Sequence, residues 1–317
     1  MRLLLFGSGA FGVPTFAALH AAHEVVALAG PPDRPAGRKR VLTPAPAVAW
    51  AREAGVEPWR SENVNDPAFV ARAADAGVDA SVVIAFGQKL GPPLLAAMGR
   101  LSVNLHGSLL PAWRGAAPVQ RSVMAGEAVT GVSVIALAER MDAGAVYEQA
   151  ELAVQPHETA GEVHDRLAAL GPAAVLAVLA RLEDGTLAPW EQDASAATHA
   201  AKLRKADGTT AFDAPPAAVA ARINGLNPWP GCRVAVRGPA GEEAGFLLLR
   251  RAEPGGDRVD GEPPAAGTVD EEGRVAAAGG IVRLLEVQVP GRGVIPLAGF
   301  RRGGGLPRGS VLHAVEA

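Results

Sequence analysis

Short apolar runs alternate with longer amphipathic stretches through the first half of the chain. Arg2–Phe6 (RLLLF), His23–Ala29 (HEVVALA), Asp79–Ala85 (DASVVIA), the run ending VNLH at residues 103–106 and GVSVIALA at residues 131–138 predict strands. Between them, helices are predicted near Ala45–Ala54, Pro67–Ala76, Pro92–Met98 and Ala116–Ala125. A longer amphipathic helix over Ala160–Leu182 closes the series. Uninterrupted apolar strands alternating with helices predict a Rossmann-like α/β domain, its sheet mainly parallel and covered on both faces. The pattern changes after Gly185. Thr186–Asp207 is mixed and polar, and from Cys232 onward RVAV, GFLLLR, IVRLLEVQV and GSVLHAV are short β-like runs punctuated by Gly and Pro. The expectation is a larger α/β domain over residues 1–188, a linker over 189–207 and a smaller β-barrel or sandwich over 208–317.

The first strand runs into GSGAFG at residues 7–12, which has the dinucleotide spacing G-x-G-x-x-G. A dinucleotide site also wants an acid ending the second strand, where it would bond a ribose hydroxyl. That strand ends in Ala29 and Gly30, and Asp33 comes only after two prolines. The glycines are therefore read as a tight strand-to-helix turn, with a dinucleotide-dependent oxidoreductase as a remote alternative.

Pro31–Pro46 is rich in proline and carries Arg34, Arg38, Lys39 and Arg40. Two readings stay open from the pattern: a solvated loop, or a loop reaching for phosphates. Net charge is −3, so a nucleic-acid partner would have to meet such a local patch and not a global field. Cys232 is the only cysteine, which excludes an internal disulfide and a Cys-rich zinc site, and no other ligand cluster suggests a metal. No signal peptide is visible and the longest apolar runs fall short of a span, so a cytoplasmic protein with no membrane partner is expected. A monomer is expected too.

The chemistry is expected between Ser102 and Asp142. Asn104 and His106 are two apart on a strand and so point to the same side. Asp142 lies just past the second run. If both runs are parallel strands, both arrive at the carboxyl edge of the sheet, where such sheets bind ligands. An amide, an imidazole and a carboxylate together suit a reaction that passes through an oxyanion, with no Ser or Cys nucleophile. Ser108, Leu109, Leu110 and Pro111 form a stiff, largely apolar lip suited to a flat heteroaromatic ligand. Phe86 and Gly87 end another strand, where backbone could approach that ligand.

NLHGSLLPAWRGAAPVQ at residues 104–120 resembles the folate-dependent formyltransferases, most closely those that act on methionyl-tRNA. PDRPAGR (Pro32–Arg38), LTPAP (Leu42–Pro46), AFGQKL (Ala85–Leu90), ETAGEVHDRLAALG (Glu158–Gly171) and LNPWPG (Leu226–Gly231) are similar to further segments of that family. The likeness spans essentially the whole chain, and implies a Rossmann-like formyltransferase catalytic domain over residues 1–188 and an OB-like β-barrel over 208–317. It implies Asn104, His106 and Asp142 as catalytic residues. It implies Ser108, Leu109, Leu110, Pro111, Phe86 and Gly87 around a reduced folate, and Arg34, Arg38, Lys39 and Arg40 against tRNA. The implied reaction carries the formyl group of 10-formyltetrahydrofolate, as co-substrate, to the amino group of initiator methionyl-tRNA, without a metal. A formyltransferase acting on an amino sugar nucleotide is the nearest alternative. Two departures stand out: RKR in the basic loop lacks an extra glycine, and AERM precedes Asp142 in place of an acidic, glycine-containing turn.

Overall fold

A computed structural model describes residues 1–37, 40–257 and 264–315. The chain divides into two compact units. The first comprises Met1–Arg114, Gly131–Leu152 and His164–His199; the second comprises Gly115–Thr130, Ala153–Val163 and Ala200–Ala317. Each unit is thus discontinuous in sequence.

The first unit is built on a seven-stranded sheet. In chain order its elements are β1 (Arg2–Gly7), α1 (Val13–Ala22), β2 (Glu24–Gly30), α2 (Pro46–Glu53), β3 (Pro58–Arg60), α3 (Pro67–Asp75), β4 (Ala80–Ile84), α4 (Pro92–Ala96) and β5 (Leu101–His106). After α5 (Pro118–Met124), which belongs to the second unit, come β6 (Val129–Ala136), β7 (Val146–Ala153) and the long α6 (Ala160–Glu183). The strand order is β7-β6-β5-β4-β1-β2-β3, which reverses direction between β1 and β4. Pairs β1–β2, β1–β4, β2–β3 and β4–β5 are parallel. Leu3, Leu4, Leu5 and Phe6 are all fully buried, which is why the first strand reads as an uninterrupted apolar run.

One expectation is overturned. Strand β6 runs antiparallel to β5, with Val103 opposite Ala136 and His106 opposite Ser133. Its carboxyl end therefore lies beside Val103, and Asp142 does not arrive as a parallel strand end. A parallel return needs a crossover whose helix packs back on the sheet. Here the helix of that connection, α5, belongs to the other unit, and the chain re-enters the sheet in the opposite direction.

The glycines of GSGAFG serve packing. A Cβ on Gly7 would stand 2.5 Å from the Phe16 ring, and one on Gly12 would stand 2.6 Å from it. Phe16 of α1 can press onto the strand-to-helix turn only because both positions lack a side chain. Helix α6 is long and apolar enough to cross a membrane by length and composition, with a mean hydropathy of 1.4. Its Leu167, Val175, Val178 and Leu179 are fully buried inside the protein, so its apolar character matches a stripe laid against protein.

The second unit holds an antiparallel sheet of β8 (Cys232–Arg237), β9 (Glu243–Asp257), β10 (Arg274–Ala277), β11 (Gly280–Gln288), β12 (Val294–Pro296) and β13 (Val311–Ala314). The order is β10-β11-β9-β8-β13, with β12 on β11. Thr268 bridges Val311 on β13 and Val269 bridges Val275 on β10, linking the two edges of a curled half-barrel. Its core gathers Phe212, Leu247, Leu249, Val275, Val282 and Leu312 with Val219 and Ile223 of α7 (Pro216–Gly225).

Candidate active site

The site lies within the first unit, at the end of β5. The alternation of that strand leaves Asn104 half-buried and His106 buried, on one side of the backbone. His106 Nε2 is 2.9 Å from the carbonyl oxygen of Trp113. A carbonyl only accepts, so Nε2 carries the proton and donates. That leaves Nδ1 as the nitrogen that exchanges a proton, and it faces Asp142 Oδ2 at 3.7 Å. This separation suits an ion pair with the protonated ring but exceeds a direct hydrogen bond. The side chains of His106 and Asp142 are 6% and 12% exposed, so their attraction is screened less than at the surface. Among the described residues no hydrogen-bond partner is found for the Asn104 amide, which leaves its N–H groups available to a ligand.

Three residues here occupy the left-handed backbone region without being glycine: Ala85 (φ 48°), Trp113 (φ 63°) and Asp142 (φ 54°). Such a conformation costs about 1–2 kcal/mol per residue and is held by its surroundings. Trp113 presents the carbonyl that fixes His106. Asp142 sits in the loop 137–145 that carries its carboxylate back toward the imidazole.

The lip at residues 108–111 is pinned from β6 and β7. Ser133 Oγ donates to Ser108 O at 2.7 Å and accepts from Leu110 N at 3.0 Å. Gln149 Nε2 donates to Leu110 O and to Ser133 Oγ, both at 2.8 Å. Leu110–Pro111 is a cis peptide. Ser108 is fully buried and its hydroxyl donates to Ala112 O at 2.6 Å, while the Leu110 side chain packs on Ile135 and Val146. These two side chains hold the loop; Leu109 and Pro111 are the partly exposed members. Phe86 packs edge-on against Phe6 at 5.3 Å between ring centroids, 6% exposed, so its ring belongs to the core. Gly87, at φ 84°, is exposed with open space where a side chain would be. Just past β4, a ligand is therefore offered backbone at Gly87 and at Ala85, whose carbonyl also accepts from Ser8 Oγ. A half-buried amide, a buried imidazole with one nitrogen free to exchange a proton and an apolar lip fit a flat amide-bearing heterocycle. Among the described residues no group of three or more His, Cys, Asp or Glu side chains is arranged to hold a metal.

The basic loop is a short antiparallel pair, Arg34–Ala36 with Val41–Thr43. Arg34 forms an exposed ion pair with Glu62 at 3.2 Å, and Arg40 is exposed at φ 50°. Val41 and Leu42 beside them are 60% and 66% exposed. Arg38 and Lys39 lie outside the described residues.

A family model described as formyl transferase matches residues 1–179, and another, described as formyl transferase C-terminal domain, matches residues 202–304. The chain belongs to the formyl transferase family. It is 38% identical over 310 residues to the methionyl-tRNA formyltransferase of Phenylobacterium zucineum (strain HLK1), covering 98% of this chain and 99% of that protein. It is 40% identical over 297 residues to the methionyl-tRNA formyltransferase of Anaeromyxobacter sp. (strain K), covering 92% and 93% respectively. Among solved structures, an N-formyltransferase from Helicobacter canadensis in complex with folinic acid and dTDP-3-aminofucose superposes with a TM-score of 0.64, covering 90% of this chain and 98% of its own. At 11% identity that likeness concerns the fold alone.

The contacts that hold this candidate site together include residues that carry no signal in the sequence. Gln192 and Thr198 fall in the polar stretch expected to be a linker, Ser133 lies inside a predicted strand with nothing to mark it, and Gln149 lies in a stretch given no element. Trp113 and Arg114 could have been noticed, because they sit inside the segment NLHGSLLPAWRGAAPVQ that carries the family resemblance.

Proposed function

We propose that this chain transfers the formyl group of 10-formyltetrahydrofolate to the α-amino group of methionine esterified to initiator tRNA. The observation that carries this is near-full-length identity of 38–40% to relatives named methionyl-tRNA formyltransferase, spanning both the catalytic and the C-terminal regions.

The reduced folate supplies an activated one-carbon group; the chain's residues position it and handle charge and protons. Leu109 and Pro111, with backbone at Ala85 and Gly87, would hold the heterocycle. As the amine nitrogen bonds to the formyl carbon, negative charge grows on the formyl oxygen. The Asn104 amide and the protonated Nδ1 of His106 donate to that oxygen, a kind of contribution worth a few kcal/mol per donor. Asp142 stabilises the charged imidazole and accepts the proton that the amine loses. The bond from the formyl carbon to the folate nitrogen then breaks, and that nitrogen takes up the proton. Arg34, Arg38, Lys39 and Arg40, with the exposed Val41 and Leu42, would contact the tRNA.

The test is a competition. Purified protein with 10-formyltetrahydrofolate is offered charged initiator tRNA and a dTDP-linked amino sugar. Formylation of the tRNA alone is expected; formylation of the sugar alone would transfer the function to the alternative acceptor. Neutralising Arg34, Lys39 and Arg40 should raise the KM for tRNA and flatten its salt dependence, and an unchanged KM across salt would remove the loop from tRNA binding.

A further inference from the structure

Residues 190–198 do more than join two regions, because this segment bonds Asp142 directly and reaches His106 through its partner Trp113. Trp190 pairs with Val146 through two backbone hydrogen bonds of 2.8 and 2.9 Å, which anchors the segment beside β7. Two residues on, the Gln192 side-chain amide uses both of its ends. Its Nε2 donates to the carbonyl of Asp142 at 2.9 Å and to that of Gly144 at 2.7 Å. Its Oε1 accepts from Arg114 Nε at 3.1 Å and Nη2 at 2.7 Å. Further along, Thr198 Oγ1 accepts from Trp113 N at 2.8 Å and its carbonyl accepts from Arg114 N at 2.9 Å. Trp113 is the residue whose carbonyl fixes His106 Nε2.

The two residues braced in this way, Trp113 and Asp142, are both in the left-handed backbone region. Neither is a glycine, so each conformation costs about 1–2 kcal/mol that surrounding contacts such as these hydrogen bonds offset. The chemistry of Gln192 is specific. A glutamate could receive Arg114 but has no donor for two carbonyls, and a lysine could donate but not receive the guanidinium. Only a primary amide of this length satisfies all three neighbours.

We infer that Gln192 and Thr198 are positioning residues for formyl transfer: Gln192 sets Asp142, Thr198 sets the Trp113 carbonyl that orients His106, and neither touches substrate. The inference rests on the proposed roles of His106 and Asp142. Holding reacting groups to within a fraction of an ångström is worth up to about 100-fold in rate, so loss of the brace should appear in kcat.

The experiment measures steady-state formylation, with kcat and both KM values, for wild type, Gln192→Ala, Thr198→Val, Thr198→Ser, Asp142→Asn and the Gln192→Ala/Asp142→Asn double variant. Gln192→Ala should lower kcat about 10- to 100-fold with KM for folate and tRNA within about twofold. Adding it to Asp142→Asn should cost little more, because Gln192 acts through Asp142. Thr198→Val should lower kcat and Thr198→Ser, which keeps the hydroxyl, should restore it. A Gln192→Ala enzyme within twofold of wild type, or effects that multiply in the double variant, would overturn the inference while leaving the catalytic pair intact. Should Asp142→Asn itself turn over normally, both the pair and its brace are overturned. If Gln192→Ala does not fold, the Thr198 variants decide the matter: a Val variant as active as Ser contradicts the brace.

Discussion

The Trp113 carbonyl accepts from His106 Nε2 at 2.9 Å, and Trp113 holds a left-handed backbone to place it there. Seven residues of chain thus return to fix the tautomer of the imidazole. In the neutral ring Nε2 bears the hydrogen and Nδ1 carries the lone pair, facing Asp142. In a nitrogen-15 histidine spectrum, His106 should show a protonated Nε2 and an unprotonated Nδ1 when neutral. The opposite tautomer would mean that Nδ1 does not serve as the proton-exchanging nitrogen.

Ser133 is fully buried and bridges the lip by accepting from Leu110 N and donating to Ser108 O. Ser133→Ala strands a buried donor and a buried acceptor, and Gln149 Nε2 loses one of its two acceptors. The expected loss is about 1–3 kcal/mol of unfolding free energy in urea titration, together with a raised KM for the folate donor as the lip loosens. An unchanged KM would separate the lip from folate binding.

Glu162 closes a capping box at the start of α6, accepting from Thr159 N at 2.8 Å while its own N–H reaches Thr159 Oγ1 at 3.4 Å. Hydrogen bonds from Arg251, first, and from Thr159 hold its carboxyl down at about 2, against an ordinary value of 4.5. Because the folded value is the lower one, its stabilisation is present above the ordinary value and disappears as pH falls through about 2. The carboxylate is 45% exposed, and solvent screening reduces the effect to about 1 kcal/mol. Glu162→Gln should therefore unfold more easily than wild type at pH 7, with the difference closing as the pH is lowered toward 2. A constant gap across that range would assign the effect to the cap geometry and not to charge.

Asn104 and His106 were legible in the sequence because a period of two puts them on one side of a short apolar strand, and that strand is where expected. The parallel βα frame was legible for the same reason, since Leu3 to Phe6 and Ala80 to Ile84 are buried without a break. Asp142 was legible as an acid past an apolar run, but not its route. The direction of β6 depends on α5 leaving for the other unit, and nothing in the alternation of residues 129–136 records which way a strand runs. The Arg114–Gln192–Asp142 contacts join positions 50 and 78 residues apart. Polar residues in a polar stretch give no period, so the brace reads as linker. Phe86 and Gly87 read as a strand-end turn whose backbone could approach a ligand, but nothing in the sequence says that the Phe86 ring itself packs on Phe6.

The central claim is that an imidazole and a carboxylate 3.7 Å apart, with the Asn104 amide two residues back on the same strand, carry out formyl transfer. Its most direct test is single-turnover formylation of charged initiator tRNA by His106→Ala and Asp142→Asn, each checked for wild-type folding by circular dichroism. Both variants should lose about 100- to 10,000-fold in rate while still binding a reduced folate in calorimetry. A rate within about threefold of wild type for either variant would contradict the account.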